Sequence, residues 1–290
     1  IFLQADKPGE WLSELARVVD GNSELTERLD TFLNPVQPQS SAEWEEREAR
    51  RKERRKKKQE ERDRNRAEWV EHLKAAPDVV RHPRGLEPGE LSNDQYWLLG
   101  EVEGAGFRKS RGDGANWEAL LPEFGESVAR AYRDAAIAHW RNFTPGLRSE
   151  GHDTTSIPYS LIFAMAGLEI EASEDASFPS SLTEVEVRHA LRYFVWDING
   201  FPRWLEQLQR AYPGLVLEAV LTELQWELVH TQPDQQMHYI LHDLVYHASW
   251  MHPFLVPAMV TWLEQNEIPN RDALRYCIRI LISGDTPRET

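Results

Sequence analysis

Three histidines close together, His238, His242 and His247, are the nearest approach in this chain to a metal-ligating set. His238 and His242 are four residues apart, which on a helix places them on one face at the spacing zinc ligands use. The segment His238-Tyr239-Ile240-Leu241-His242 lacks the glutamate that would complete a zincin motif and supply a general base. At 100° per residue His247 falls about 180° from His238, on the opposite face of the same helix. No further His or Cys pair offers a third ligand. The three therefore read as histidines on a packed or polar helix face, and no metal ligand is assigned.

Other chemistry is equally incomplete. Gly104-Ala105-Gly106 and Gly112-Asp113-Gly114 are rich in glycine, but a phosphate-cradling loop needs G-x-x-x-x-G-K-[ST] after a strand. Lys109-Ser110 lacks the preceding glycine, and the dinucleotide-binding pattern fails for want of the same strand. Glu169, Glu171, Glu174 and Asp175 cluster in an acidic helix-to-loop run that reads as solvated, whereas acid–base catalysis needs carboxyls driven apart in pKa by burial. Cys277 has only Arg275 and Arg279 near it, both on its own helix, so no activated nucleophile is read. No catalytic residue, cofactor or cofactor-binding residue is expected.

The strongest charge feature is basic. Arg50, Arg51, Lys52, Arg54, Arg55, Lys56, Lys57 and Lys58 surround the single acid Glu53. Such blocks bind phosphate backbones or acidic protein faces. Residues 43–71 taken together carry twelve basic and ten acidic side chains, and no aromatic interleaves the basic run to stack on bases. A solvated spacer or a dock for an acidic protein face is the preferred reading, with nucleic acid as the alternative.

The elements that must position these residues are helical. Trp11, Leu12, Leu15, Val18 and Val19 mark one helix face, and Leu25, Leu29, Phe32 and Leu33 another. Ser40 and Glu43 have the spacing of a capping box ahead of a charged helix over 41–76. Residues 77–90, with three prolines and two glycines, read as a loop. Helical stripes follow through Trp97, Trp140, Leu161 and Met165, and a second capping box, Thr183 with Glu186, opens a helix closed by Asn199-Gly200. Pro213, Leu215, Val216 and Val220 recur as Pro253, Leu255, Val256 and Val260, an offset of 40 residues that matches HEAT-like spacing with proline at a helix start. Eleven tryptophans suggest helix-on-helix cores. The expected fold is all-α: an irregular HEAT-like array, or α-solenoid, with a long charged helix. The expected segments are an N-terminal helical pair over 1–39, the charged helix over 40–76, a helical domain over 77–198 and HEAT-like repeats over 199–290. Ile1-Phe2-Leu3-Gln4 reads as the tail of an earlier helix, so the 290 residues are expected to belong to a longer protein. A net charge of −15 argues against whole-surface affinity for nucleic acid or acidic lipid. The lone cysteine and the lack of a long apolar run fit a reducing, cytoplasmic setting with no membrane partner.

Several segments together carry a resemblance. They are Trp140-Arg141 with Pro145, Ala166-Gly167-Leu168-Glu169, Asn199-Gly200-Phe201-Pro202-Arg203-Trp204-Leu205, Ala211-Tyr212-Pro213, Leu221-Thr222-Glu223-Leu224 and the charged helix after Leu29-Asp30. This set resembles the C-terminal helical region of large bacterial NACHT-type or related STAND NTPases, many of them implicated in antiphage defence. The resemblance implies a helical sensor or scaffold module that binds a protein partner, a trigger or other domains of the same polypeptide. ATP would be bound by an upstream domain, since none of that family's nucleotide-binding residues has a counterpart here.

Overall fold

The helix Tyr159–Glu174 is apolar on almost every side, and a helix of that kind must be enclosed by others. In the computed structural model of the chain it is the centre of the fold. Residues 8–33, 39–105, 114–197 and 200–284 are described. Among them are thirteen α-helices and no strand. In chain order they are α1 (Pro8–Val19), α2 (Ser23–Leu33), α3 (Gln39–Ala75), α4 (Asp78–Arg81), α5 (Asn93–Ala105), α6 (Leu121–Asn142) and α7 (Tyr159–Glu174). They continue with α8 (Glu184–Ala190), α9 (Arg203–Ala211), α10 (Pro213–His230), α11 (Leu241–His247), α12 (His252–Leu263) and α13 (Arg271–Ser283). The all-α expectation is met. Ile1–Gln4 and the glycine-rich stretch 106–113, with Lys109 and Ser110, lie outside the described residues, as does Asn199.

The chain divides into two compact units, 1–68 and 69–290, with the boundary inside α3. In the first unit none of residues 14–33 and 44–68 is buried: Val18 is 78 % and Phe32 63 % exposed, so these apolar side chains of α1 and α2 find little cover there. The second unit holds two hydrophobic clusters. One joins Leu73 of α3, Val80 of α4, Leu98 and Leu99 of α5 and Val128 and Tyr132 of α6. The other runs from Trp140 of α6 through Leu168, Phe194, Trp204 and Leu224 to Cys277 and Ile280 of α13, continuously across position 198. Helices α6 and α7 contribute to both. Of the tryptophans, Trp140, Trp196 and Trp204 are buried, whereas Trp44 and Trp97 stand out in solvent, so the count overstated their share of the core.

The contact between α6 and α7 is unusually close. A Cβ at Gly167 would stand 1.8 Å from the carbonyl oxygen of Ala136, so only glycine fits there. Local differences from the sequence reading have tertiary causes. Helix α4 forms inside the expected 77–90 loop because Val80 is fully buried and Gln95 donates to its carbonyl at 2.8 Å. Helix α8 opens with the expected Thr183–Glu186 capping box but stops at Ala190, short of Asn199. There Arg192 turns to the Pro145 carbonyl and Glu150, and the Tyr193 hydroxyl sits 2.7 and 2.6 Å from the carbonyls of Trp140 and Phe143. Prolines 213 and 253 do lie at helix starts, but α9 packs against α10 whereas α11 packs mainly against α13.

Two outcomes follow for stability. Gly167→Ala should cost at least about 1–3 kcal/mol in urea unfolding, the range for overpacking a tight contact. Gly100→Ala, on α5 with open space where its Cβ would go, should be neutral or gain up to about 1 kcal/mol from helix propensity. The second outcome concerns His139, buried on α6 with Nε2 3.2 Å from the Ser160 carbonyl. Burial pushes its pKa down to about 4, so the unfolded chain takes up a proton that the folded chain refuses. The stabilisation is complete above the ordinary histidine value of about 6.5. It is lost as pH falls from there through about 4, a loss on the order of 3 kcal/mol that His139→Gln should flatten in pH-dependent unfolding.

Candidate functional site

Helix α3 presents the basic block. Every residue from 49 to 65 is exposed, as expected for a sequence with no apolar face to bury. The eight basic residues do not share one role. Arg50 pairs with Glu46 at 2.6 Å, Lys57 with Glu53 at 2.9 Å, Lys52 with Glu48 at 3.4 Å and Lys56 with Glu60 at 3.8 Å, all at i, i+4 spacing. The Glu53–Lys57 hydrogen bond and charge contact hold the Glu53 carboxyl below, and the Lys57 ammonium above, their ordinary values. Exposed pairs of this kind add only a few tenths of a kcal/mol each. Arg51, Arg54, Arg55 and Lys58 have no ion-pair or hydrogen-bond partner among the described residues, and neither has Arg62.

These five unpaired cations lie within about 100° of one another around the helix. Glu46, Glu53 and Glu60 fall on the opposite side, with Glu48 and Glu61 on the flanks. The helix is therefore nearly neutral in total yet basic along one stripe, about 16 Å long from residue 51 to 62. Trp44 stands one and two turns before Arg47 and Arg51 on the same face, 63 % exposed. Summing charge over the segment hides this division; the i, i+4 arithmetic of the sequence contains it.

The histidines are arranged differently from their sequence spacing. His238 is not helical: α11 begins only at Leu241, and the His238 side chain is 1 % exposed with Nδ1 3.4 Å from Glu227. The expected His238–His242 pair on one helix face is therefore absent. Its physical cause is Glu227, a buried carboxylate on α10 that accepts the backbone N–H groups of Tyr239, Ile240 (2.8 Å) and Leu241 (2.9 Å). It occupies the position of an N-terminal cap for α11 and favours the helix start by charge as well as hydrogen bonding. His242 instead has Asp243 beside it, Nδ1 to carboxylate 3.0 Å, and the His247 ring with centroids 6.0 Å apart. One potential ligand atom from each of His242, Asp243 and His247 lies within 4.8 Å of the other two.

The acidic run is also redistributed. Glu171 accepts from the two terminal guanidinium nitrogens of Arg141, at 2.6 and 2.7 Å, and from the Trp140 indole N–H at 2.7 Å. Glu174 binds Trp117 and Arg133. Burial raises the Glu169 pKa. The solvated carboxylates expected from sequence are thus largely structural partners. Cys277 is buried, and loss of solvent pushes its thiol up to about 12, which leaves it unreactive.

A cleft of about 370 Å³ between the turn at 148–150, α8 and α10 has Arg188, Arg192, Glu150, Glu218 and Glu223 among its lining residues. Arg192 is held by Glu150, and Arg188 by Glu184 and Glu218, so its cations are already neutralised by neighbouring acids. Glu223 is 1 % exposed and accepts from Ser149 through one oxygen.

Comparison of the chain with protein-family models, curated proteins and solved structures gives no match. No helix among the described residues is long and apolar enough to cross a membrane.

Removing Glu227 should have a large local effect. Glu227→Ala strands three backbone N–H groups, two of them fully buried, and should cost about 3 kcal/mol or more in equilibrium unfolding. Backbone amides 239–241 should lose hydrogen-exchange protection ahead of those in α10. Unchanged protection in that turn would mean the cap is not what holds α11.

Proposed function

We propose that this chain is a non-catalytic helical module that binds an acidic protein surface through the unpaired stripe Arg51, Arg54, Arg55, Lys58 and Arg62 of α3. The observation that carries this reading is the segregation of charge on α3. Acids on the far side neutralise Arg50, Lys56 and Lys57, and Glu48 on the flank neutralises Lys52, while five cations are left without partners along one exposed face. A row of cations with aliphatic stems and a tryptophan nearby suits a carboxylate-bearing protein face. The exposed apolar residues of α1 and α2, Val18 and Phe32 among them, favour contact with a partner or with other domains of the same polypeptide.

In this proposal the module is the sensor or scaffold region of a larger cytoplasmic bacterial NTPase of the NACHT or STAND type, as the resemblance around Trp140, Gly167 and Gly200 implies. The proline-led helices α10 and α12, 40 residues apart, support a HEAT-like array within it.

Nucleic acid is the second reading, favoured by the same stripe because Glu46, Glu53 and Glu60 point away from anything docked on it. Fluorescence anisotropy with a short DNA duplex separates the two. On the protein-docking reading duplex affinity stays weaker than micromolar at physiological salt, and reversing Lys56, Lys57 and Lys58 to Glu leaves it unchanged. In the full-length protein, reversing Arg51, Arg54, Arg55 and Lys58 to Glu should lose the protein partner recovered with the wild type. Submicromolar duplex binding would transfer the helix to nucleic acid if the four-residue reversal abolishes it and log affinity falls with log salt at about −0.9 per contact.

A further inference from the structure

His242, Asp243 and His247 occupy the two turns of α11 and bring two imidazoles and one carboxylate together, each offering an atom within 4.8 Å of the others. Two nitrogen donors and one oxygen donor is a ligand set that borderline divalent ions such as zinc accept, with water in the remaining positions. The group is open to solvent on the His242 side, where the side chain is 50 % exposed, while Asp243 is 21 % exposed. An ion can therefore enter and keep bound water.

The rings are held in place by their surroundings. A Cβ at Gly200 would lie 2.6 Å from Cγ of His247, and Gly200 has φ +106°, so this glycine backbone forms the floor on which the imidazole rests. The His242 ring packs on Tyr246 at 4.8 Å and faces the edge of Tyr276 at 6.4 Å. Such packing limits the torsional freedom that metal binding would otherwise have to remove. Arg279, which donates to the Tyr246 hydroxyl at 2.7 Å, is a nearby positive charge and works against a bound cation.

We propose that His242, Asp243 and His247 bind one divalent transition ion of the zinc class along α11, with two ligands from its first turn and one from its last residue. Bonds of about 2.0–2.2 Å set tetrahedral donors about 3.4 Å apart, so the widest separation must close by a little over 1 Å. A small torsional adjustment of the half-exposed His242 side chain supplies that movement without shifting the helix, while His247 stays against the Gly200 backbone. Three protein ligands in an exposed site beside Arg279 give micromolar rather than nanomolar affinity. The ion would tie the first turn of α11 to its last residue.

Zinc titration of the intact chain by isothermal calorimetry tests this, with the thermal midpoint as a second readout. One equivalent should bind with micromolar Kd and raise the midpoint. His242→Ala, Asp243→Asn and His247→Gln should each weaken binding at least tenfold and remove the zinc-dependent part of the shift. His152→Ala, an exposed histidine whose ion-pair partner is Glu150, should leave both unchanged. Circular dichroism of each variant establishes that it is folded before its affinity is compared. Absence of saturable binding at high-micromolar zinc would overturn the assignment. So would binding that survives the His242→Ala/His247→Gln double variant, because the ion would then be held by others of the ten histidines.

Discussion

The larger unit depends on how closely α6 and α7 approach. At Gly167 the backbone of α7 rests against the Ala136 carbonyl of α6, and no side chain intervenes. This contact lets α6 present Val128 and Tyr132 to one cluster and Trp140 to the other while α7 does the same with Phe163 and Leu168. Any side chain at 167 would part the two helices and open a gap in both clusters at once. Dense packing transmits such a displacement, because interiors have few voids in which to absorb it.

Polar groups then lock the ends of these helices. Arg141 lies 4.3 Å over the Trp140 ring and joins Glu171 on α7 to Glu186 on α8. Glu186 is itself fixed by Thr183, and its pKa is held down at about 2, first by the Thr183 backbone N–H and then by Arg141. His189 and Tyr193 occupy the Trp140 carbonyl near the end of α6. In the C-terminal part, buried Glu227 performs the corresponding task for the start of α11. Carboxylates that resemble an acidic surface or a catalytic pair in sequence thus serve as connectors between helices. Their value lies in direction: each fixes one helix end relative to another, which apolar packing alone does less specifically.

Unit 1 follows a different logic. Helix α3 has no apolar stripe to bury between its first turns and Trp69, so side-chain charge decides its behaviour. Pairing at i, i+4 uses four of the eight cations in the basic block and leaves the others on one face. The result couples a strongly acidic protein to a narrow basic strip, and steering by such a strip acts over about 8 Å at physiological salt. Net charge alone would have obscured it.

Much of the helical content was legible in the sequence because a 3.6-residue apolar period and local stop signals are short-range properties. The stripe through Leu161 and Met165, the Thr183–Glu186 box and the proline-led starts of α10 and α12 all lie where the residues put them. So does the exposure of residues 49–65, which contain almost nothing to bury. What the sequence could not determine depends on partners far along the chain. Helix α8 ends early because Tyr193 and Arg192 meet carbonyls near the end of α6 and beyond it, some fifty residues upstream. His238 leaves the helix because Glu227 captures the backbone beside it. With that helix start moved to Leu241, a wheel drawn through His238 no longer applies, and His242 finds Asp243 and His247 instead. Residue type and spacing determined which groups were available; the tertiary fold decided which of them meet, because a buried carboxylate or a glycine contact selects one backbone path among several that local propensity allows.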